Sequence, residues 1–268
     1  MQTKRTLLGD AFDYAAPPTI DEVLHLLAEH GEEARILAGG QSLGPLLSAK
    51  LARPTHIIDI NRLVGADRPE LSGNALIIPA LTRHVSLEAG VVDGPLGALF
   101  AQMAKEVGPE DVRNRGTVCG ALADANPAAE WCLAAITLGA EITLASAQRG
   151  VRNDSAAQFL RAPFVTSAAA DELITGVTFP LLPSKMRAGF AKIAETPFTY
   201  GEALSIISFH IIDGALAQVR IGLGGLEPVP RRIKAAEVQL TGASPTEDAF
   251  CNAARVAADE IIPLDADR

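Results

Sequence analysis

The stretch Ile36-Leu37-Ala38-Gly39-Gly40-Gln41-Ser42-Leu43 carries the end of an apolar strand into two glycines, and a helix-compatible run from Leu43 to Leu51 follows it. Upstream, after Pro17 and Pro18, Thr19-Ile20-Asp21-Glu22 reads as a capping box, and Ile20, Val23, Leu24 and Leu27 recur at helical spacing until Gly31. Downstream, His56-Ile57-Ile58-Asp59-Ile60 reads as a second strand. This order predicts a βαβ unit with a glycine turn at the carboxyl end of its first strand. Glycines there permit positive φ and close backbone approach, so successive N–H groups can face one anionic group while Ser42 adds a hydroxyl donor. A tight turn that needs glycine for geometry alone is the plain alternative, and the short motif leaves both readings open.

Farther along, Ala66 to Gly73 is polar and turn-rich, Ala75 to Pro79 reads as a strand, and Leu96, Leu99, Phe100, Met103 and Val107 mark a helix. Arg113 to Ala121 (Arg-Asn-Arg-Gly-Thr-Val-Cys-Gly-Ala) reads as a second glycine-containing turn passage, with the same two alternatives. Two such loops suit the two phosphates of a dinucleotide better than either suits a mononucleotide. Asn126 fits an N-cap and Pro127 a first helical position for a helix from Ala128 to about Leu138. Strands are expected at Glu141 to Ala145 and Leu173 to Phe179, then a linker at Pro180, Pro183 and Ser184. Further strands are expected at Gly189 to Ile193, Ser205 to Ile212 and Ala217 to Leu223, with a turn at Asp213-Gly214 and a closing helix around Glu247 to Asp259.

Composition narrows the function classes. The 268 residues are 48% hydrophobic and 21% charged, enough to bury a core in two or three units. A net charge of −9 argues against a nucleic-acid partner. Cys119, Cys132 and Cys251 form no CxxC pair, so neither a disulfide scaffold nor a chain-contained zinc or iron–sulfur site is indicated, and a reducing compartment follows. Without a signal-like apolar region at the N-terminus or a membrane-length apolar run, the expected location is cytoplasmic. Neither loop is a GxGxxG or a GxxxxGK[ST], and Gly222-Leu223-Gly224-Gly225 lacks that spacing too. The five histidines show no metal-ligand spacing, and His25 and His30 read as surface groups. Ser42 and Ser205 lack a GxSxG context, so no catalytic nucleophile is assigned. Cys119 reads as a small residue in a packed turn, and Trp131 as a core or interface anchor.

Taken together, Ile36 to Leu43, Leu51-Ala52-Arg53-Pro54, Ile58-Asp59-Ile60-Asn61, Arg115 to Gly120 and Asn126-Pro127-Ala128-Ala129-Glu130 carry a resemblance. From about Phe12 to the C-terminus the chain resembles the FAD-binding medium subunit of molybdenum hydroxylases, the subunit type of carbon monoxide dehydrogenase, xanthine dehydrogenase and bacterial N-heterocycle hydroxylases. The resemblance implies an α+β protein with the FAD-binding fold of the vanillyl-alcohol-oxidase (PCMH) type. Two α/β lobes, 1–62 and the larger α+β lobe 63–182, would precede a small C-terminal antiparallel sheet-plus-helix domain, 183–268, of the carbon monoxide dehydrogenase flavoprotein type. It further implies that Ala38, Gly39, Gly40, Gln41, Ser42 and Leu43, with Thr117, Val118, Cys119, Gly120 and Ala121, bind the FAD pyrophosphate through backbone amides. Glu130 falls at the position of an acid that contacts a ribose hydroxyl, Tyr200 at an aromatic beside the flavin ring, and Lys192 at a lysine before it. An ordinary strand aromatic is the alternative for Tyr200.

Several departures from the pattern stand out. Cys119-Gly120-Ala121 replaces Gly-Gly-Asn, Glu130 replaces the commoner Asp, and Pro197-Phe198-Thr199 replaces a Gly-Asp approach to Tyr200. The chain stops at Ala266-Asp267-Arg268 where the resembled proteins continue into another helix, which leaves the outer face of the third domain and a subunit contact there open. By resemblance, a large subunit holds the molybdenum cofactor and a small subunit holds two [2Fe-2S] clusters. Electrons then pass through FAD in this chain to an external acceptor. The rival readings are a free-standing flavin oxidase or dehydrogenase of the same superfold, and a non-catalytic nucleotide-binding module.

Overall fold

The computed structural model describes residues 3–7, 10–196 and 198–263. Pro197 of the loop before Tyr200 and the chain end at Ala266-Asp267-Arg268 lie outside the described residues.

The first sheet holds β1 (Thr3–Leu7), β2 (Asp10–Ala15), β3 (Ala34–Leu37) and β4 (His56–Asp59) in the order β1-β2-β4-β3. β3 and β4 run parallel, joined by helix α2 (Leu43–Ser48), which is the expected βαβ unit. The hairpin of β1 and β2 extends that unit beyond the sequence reading, with β2 parallel to β4. Helix α1 (Ile20–His30) starts where the cap was placed: Thr19 Oγ1 accepts from the Glu22 N–H at 3.3 Å. The capping box is only half made, because the Glu22 carboxylate bonds the Thr19 hydroxyl instead of its backbone. Val23, Leu24 and Leu27 are the buried face of α1. α2 ends at Ser48 rather than Leu51, because Lys50 takes a left-handed φ of +58° and the Leu51 N–H turns back to the Leu46 carbonyl.

In the second sheet, the strands are β5 (Glu70–Ser72), β6 (Ala75–Pro79), β7 (Glu141–Ser146), β8 (Gly150–Ser155) and, after the small β9–β10 ribbon (Leu160–Ala162, Val165–Thr166), β11 (Leu173–Pro180). Their order is β5-β6-β11-β7-β8, antiparallel throughout. β5 lies inside the polar stretch read as turn, where hydrogen bonding to β6 supplies what side-chain patterning does not. Helices α3 (His84–Glu88), α4 (Pro95–Lys105), α5 (Glu110–Arg115), α6 (Val118–Asp124), α7 (Glu130–Leu138) and α8 (Ala156–Phe159) accompany this sheet. α7 is buried on all sides, which is why its sequence Trp-Cys-Leu-Ala-Ala lacks a polar face. It begins at Glu130, not Ala128: Asn126 spends its carboxamide on the Ala128 N–H at 3.0 Å and its carbonyl on Ala129, forming a turn ahead of the helix.

The third sheet is β12 (Arg187–Ile193), β13 (Ala203–Ile212), β14 (Ala215–Gly224) and β15 (Arg231–Arg232), an antiparallel meander. Asp213 and Gly214 both have positive φ, as the sharp hairpin turn requires. Helices α9 (Lys234–Leu240) and α10 (Glu247–Glu260) close on one face. The cores cross from sheet to sheet. Phe190, Leu204 and Ile206 of the third sheet pack into the cluster around Trp131, Phe100 and Phe179, while Ala145 and Leu173 of the second join Val23, Leu27 and Ile58 of the first.

Candidate functional site

Parallel pairing of β3 and β4 brings the loop after β3 beside Asn61, just past the end of β4. The Asn61 carboxamide donates to the Ala38 carbonyl at 2.8 Å and to Asp59 Oδ1 at 2.6 Å, and the Tyr14 hydroxyl donates to Asp59 Oδ2. That fixes the entry to Gly39-Gly40. The two glycines do different work: Gly40 turns the chain at φ +73°, whereas Gly39 allows close approach. A Cβ on Gly39 would collide with the Arg115 carbonyl and sit 2.8 Å from the Gly116 Cα. The two glycine passages, far apart in sequence, are therefore in direct contact.

The second passage is helical where the sequence suggested an open turn. Arg113 to Arg115 finish α5, and Thr117 caps α6 by accepting from the Gly120 N–H at 3.0 Å. A Thr-x-x-Gly pattern supplies the cap bond, and Val118, Cys119 and Leu122 supply the apolar face that pulls the turn into a helix. Its other side is pinned by a short antiparallel bridge in which the His84 N–H donates to the Gly116 carbonyl and the Val118 N–H to the Thr82 carbonyl, both at 3.1 Å. Among the described residues, the N–H groups of Gly40, Gln41, Ser42, Leu43, Thr117 and Cys119 have no protein acceptor. The contacting loops thus carry free backbone donors on both sides, the requirement for holding an anion.

Charge points the same way. The Arg83 guanidinium donates to Asn61 Oδ1 at 2.5 Å and to the Arg115 carbonyl, and Arg115 is exposed. Neither arginine has a carboxylate in ion-pair contact among the described residues, and partial burial with the nearby Arg115 charge lowers the Arg83 pKa. Behind them, burial and the Arg83 and Arg113 charges hold His84 down at about 4, so it is neutral. Its Nδ1 accepts from Trp131 Nε1 at 3.0 Å, which leaves the proton on Nε2, facing Gly116. Cys119 is buried with its thiol pushed up to about 12, so it is inert packing.

Lys192 and Glu130 meet in a buried ion pair, Nζ to Oε1 at 2.9 Å, and Lys192 also donates to the Glu106 carbonyl at 2.8 Å. Burial raises the Glu130 carboxyl, and Lys192 opposes that rise. Tyr200 lies outside the strands and is 58% exposed, which removes the strand-aromatic alternative. Desolvation and the Asp124 and Glu130 charges raise its pKa, while a hydrogen bond with Asn126 opposes the rise. Burial also raises Asp124, against a hydrogen bond from Ser42 of the first loop. Asp124, bonded to Ser42, and Asn126, bonded to Tyr200, thereby place Tyr200 and the Glu130 charge near the glycine loops.

Sequence reasoning assigned no site role to Asn61, Arg83, His84 or Asp124, and gave Asn126 only a helix-capping one. Asn61 had a visible signal, a carboxamide just past a strand end beside the glycine loop. Arg83 had none, since both its partners are distant in sequence. His30 is another correction: it stacks on His56 with ring centroids 3.7 Å apart instead of standing free on the surface. Concavities of about 450 Å³, lined by Pro180 to Pro183, Met186 and Arg220, and about 410 Å³, around Arg35 and Arg53, lie away from both loops. Among the described residues no cluster of three or more His, Cys, Asp or Glu is placed to hold a metal, and no helix is long and apolar enough to cross a membrane.

Residues 10–182 match the family described as the FAD binding domain in molybdopterin dehydrogenase. The 6-hydroxypseudooxynicotine dehydrogenase complex subunit alpha of Paenarthrobacter nicotinovorans is 33% identical over 256 residues, 95% of this chain and 86% of that protein. The nicotine 6-hydroxylase medium subunit of the same organism is also 33% identical, over 87% of this chain and 81% of its own length. In structure, the chain superposes on carbon monoxide dehydrogenase from Hydrogenophaga pseudoflava with a TM-score of 0.90 at 29% identity, covering 95% of this chain and 88% of that one. With the family match spanning more than half its length, this chain belongs to the FAD-binding domains of molybdopterin dehydrogenases, the FAD-binding medium subunits of molybdenum hydroxylases.

Proposed function

We propose that this chain is the electron-transfer subunit of a heterotrimeric molybdenum hydroxylase. A large partner would carry the molybdenum cofactor and oxidise the substrate, and a small partner would carry two [2Fe-2S] clusters. FAD held by this chain would be the last station before an external acceptor. The observation that carries the reading is the contact of Gly39 with Arg115-Gly116, which puts free N–H groups of two loops beside each other, with the Arg83 and Arg115 charges nearby. That donor set fits a dianionic pyrophosphate. FAD supplies the redox chemistry when bound; the chain's task is to bind it, orient it and tune its environment.

In this reading the loop Ala38 to Leu43, through its free N–H groups at Gly40 to Leu43, and the passage Thr117 to Ala121, through those of Thr117 and Cys119, hold the pyrophosphate; the N–H groups of Val118, Gly120 and Ala121 are taken by Thr82 and Thr117, and the buried side chains of Val118 and Cys119 only shape the helix. Glu130, anchored by Lys192, meets the ribose, and Tyr200 stands beside the ring system. The divisions 1–62, 63–182 and 183–268 are proposed as three domains, each built around one sheet. A cytoplasmic location is proposed on the free thiols Cys119, Cys132 and Cys251. Because two relatives are named for nicotine-derived substrates, an N-heterocycle is the substrate class we propose for the complex.

The test is the visible spectrum of the protein purified with its accompanying chains, before and after acid precipitation. FAD in the supernatant, with iron and molybdenum in the co-purified chains, is expected. A colourless protein that takes up no added FAD overturns the reading, and flavin reduction by substrate with this chain alone would point to a free-standing oxidase.

A further inference from the structure

Two loops that must share one ligand need something to set the gap between them. The Gly39 contact prevents them from coming closer, but a contact at one point does not prevent them from separating. Side-chain hydrogen bonds from a third segment do. Arg83 leaves the bridge strand Thr82-Arg83-His84, whose backbone is already fixed to Gly116 and Val118. One arm of its guanidinium donates to the Arg115 carbonyl at the edge of the second loop, and the other donates to Asn61 Oδ1. Asn61 in turn donates to the Ala38 carbonyl at the edge of the first loop. The connection therefore runs from Ala38 through Asn61 and Arg83 to Arg115, using only side chains from outside both loops.

We propose that Arg83 is a positioning residue that sets the separation of the two glycine loops and so the affinity for a diphosphate-bearing ligand. The inference rests on reading the paired loops as a pyrophosphate cradle. Its chemistry requires arginine: two acceptors on different segments are spanned by a planar fork, whereas a lysine ammonium can replace the charge without the span. Asp59, which accepts from the Asn61 side chain and backbone N–H at 2.6 and 2.9 Å, keeps the carboxamide turned with its oxygen toward Arg83. With one arm on the Arg115 carbonyl and the other on Asn61, the Arg83 guanidinium acts on the two loops rather than standing as a free charge.

The experiment uses the full chain stripped of flavin, titrated with FAD, with ADP as a diphosphate without flavin, and with riboflavin as a flavin without phosphate. Arg83→Gln and Asn61→Ala are expected to weaken FAD and ADP binding by roughly ten- to a hundredfold, the loss of one charge-assisted hydrogen bond, and to leave riboflavin binding unchanged. Arg83→Lys is expected to stay weak. Wild-type affinity for ADP in Arg83→Gln and Asn61→Ala overturns the proposal, as does a parallel loss of riboflavin, which would mark general collapse. Recovery by Arg83→Lys overturns it too, by showing that charge alone suffices. Asn61→Ala leaves the Arg83 bond to Arg115 in place and keeps the test decisive where Arg83→Gln does not fold. A wild-type chain that binds neither FAD nor ADP would instead refute the cradle itself, before any variant is compared.

Discussion

Gly39 and Gly44 sit in the same loop-helix passage, yet they answer opposite demands. Nothing lies within 4 Å of a Cβ on Gly44, and its φ is ordinary, so Gly44→Ala is expected to be neutral or to stabilise by about 0.5–1 kcal/mol through helix propensity. A Cβ on Gly39 has the Arg115 backbone in its place, so Gly39→Ala must push the loops apart, at an expected cost of about 1–3 kcal/mol. Denaturant unfolding of the two variants beside FAD titration checks both, and only Gly39→Ala should lose flavin. At Lys192, a substitution by Met strands Glu130, buried and without the one cation that pairs with it among the described residues. The expected loss is about 3–5 kcal/mol at neutral pH. Part of it should return as the pH falls toward 4.5, because the raised folded-state carboxyl then takes a proton that the unfolded chain does not. Urea midpoints of Lys192→Met at two pH values, with the double variant Glu130→Gln/Lys192→Met as control, measure this.

The short helices around the site depend on their caps more than on their length. α6 spans Val118–Asp124 and its first turn is closed by the Thr117 hydroxyl, so Thr117→Ala is expected to cost about 1 kcal/mol. The loss should be larger for FAD binding than for the same substitution at Thr246, which caps α10 far from the loops. Equal effects on flavin affinity at the two caps would refute a special role for α6. α7 makes the complementary point: buried on every side, it gains its stability from Trp131, Leu133 and Leu138 rather than from a cap, and its N-terminus is free to start wherever Glu130 meets Lys192.

For the whole molecule, His84 is the residue whose charge state concerns all of the surrounding structure, since it joins α3, the second loop and Trp131. Folded, it stays neutral down to about 4; unfolded, it takes a proton near 6.5. Between those values acid favours the unfolded chain, so stability is expected to fall by about 3 kcal/mol as the pH drops from 6.5 to 4, and this group contributes no further loss below. His84→Asn, which keeps an acceptor for the Trp131 N–H, should flatten that slope in unfolding titrations. Local periodicity, caps and turn residues are written in neighbouring positions, so α1, the βαβ unit, the strands β6, β7 and β11 to β14, and the two glycine passages are legible along the chain alone. Not legible there were β5, β8 and α9, whose pairing or packing comes from other segments, or the start of α6 at Val118 once its apolar face is buried. The meeting of Gly39 with Gly116 and the joining of the two loops by Arg83 and Asn61 emerge in the folded chain alone, because those contacts bring together residues from separate segments whose spacing in the sequence leaves no periodic trace.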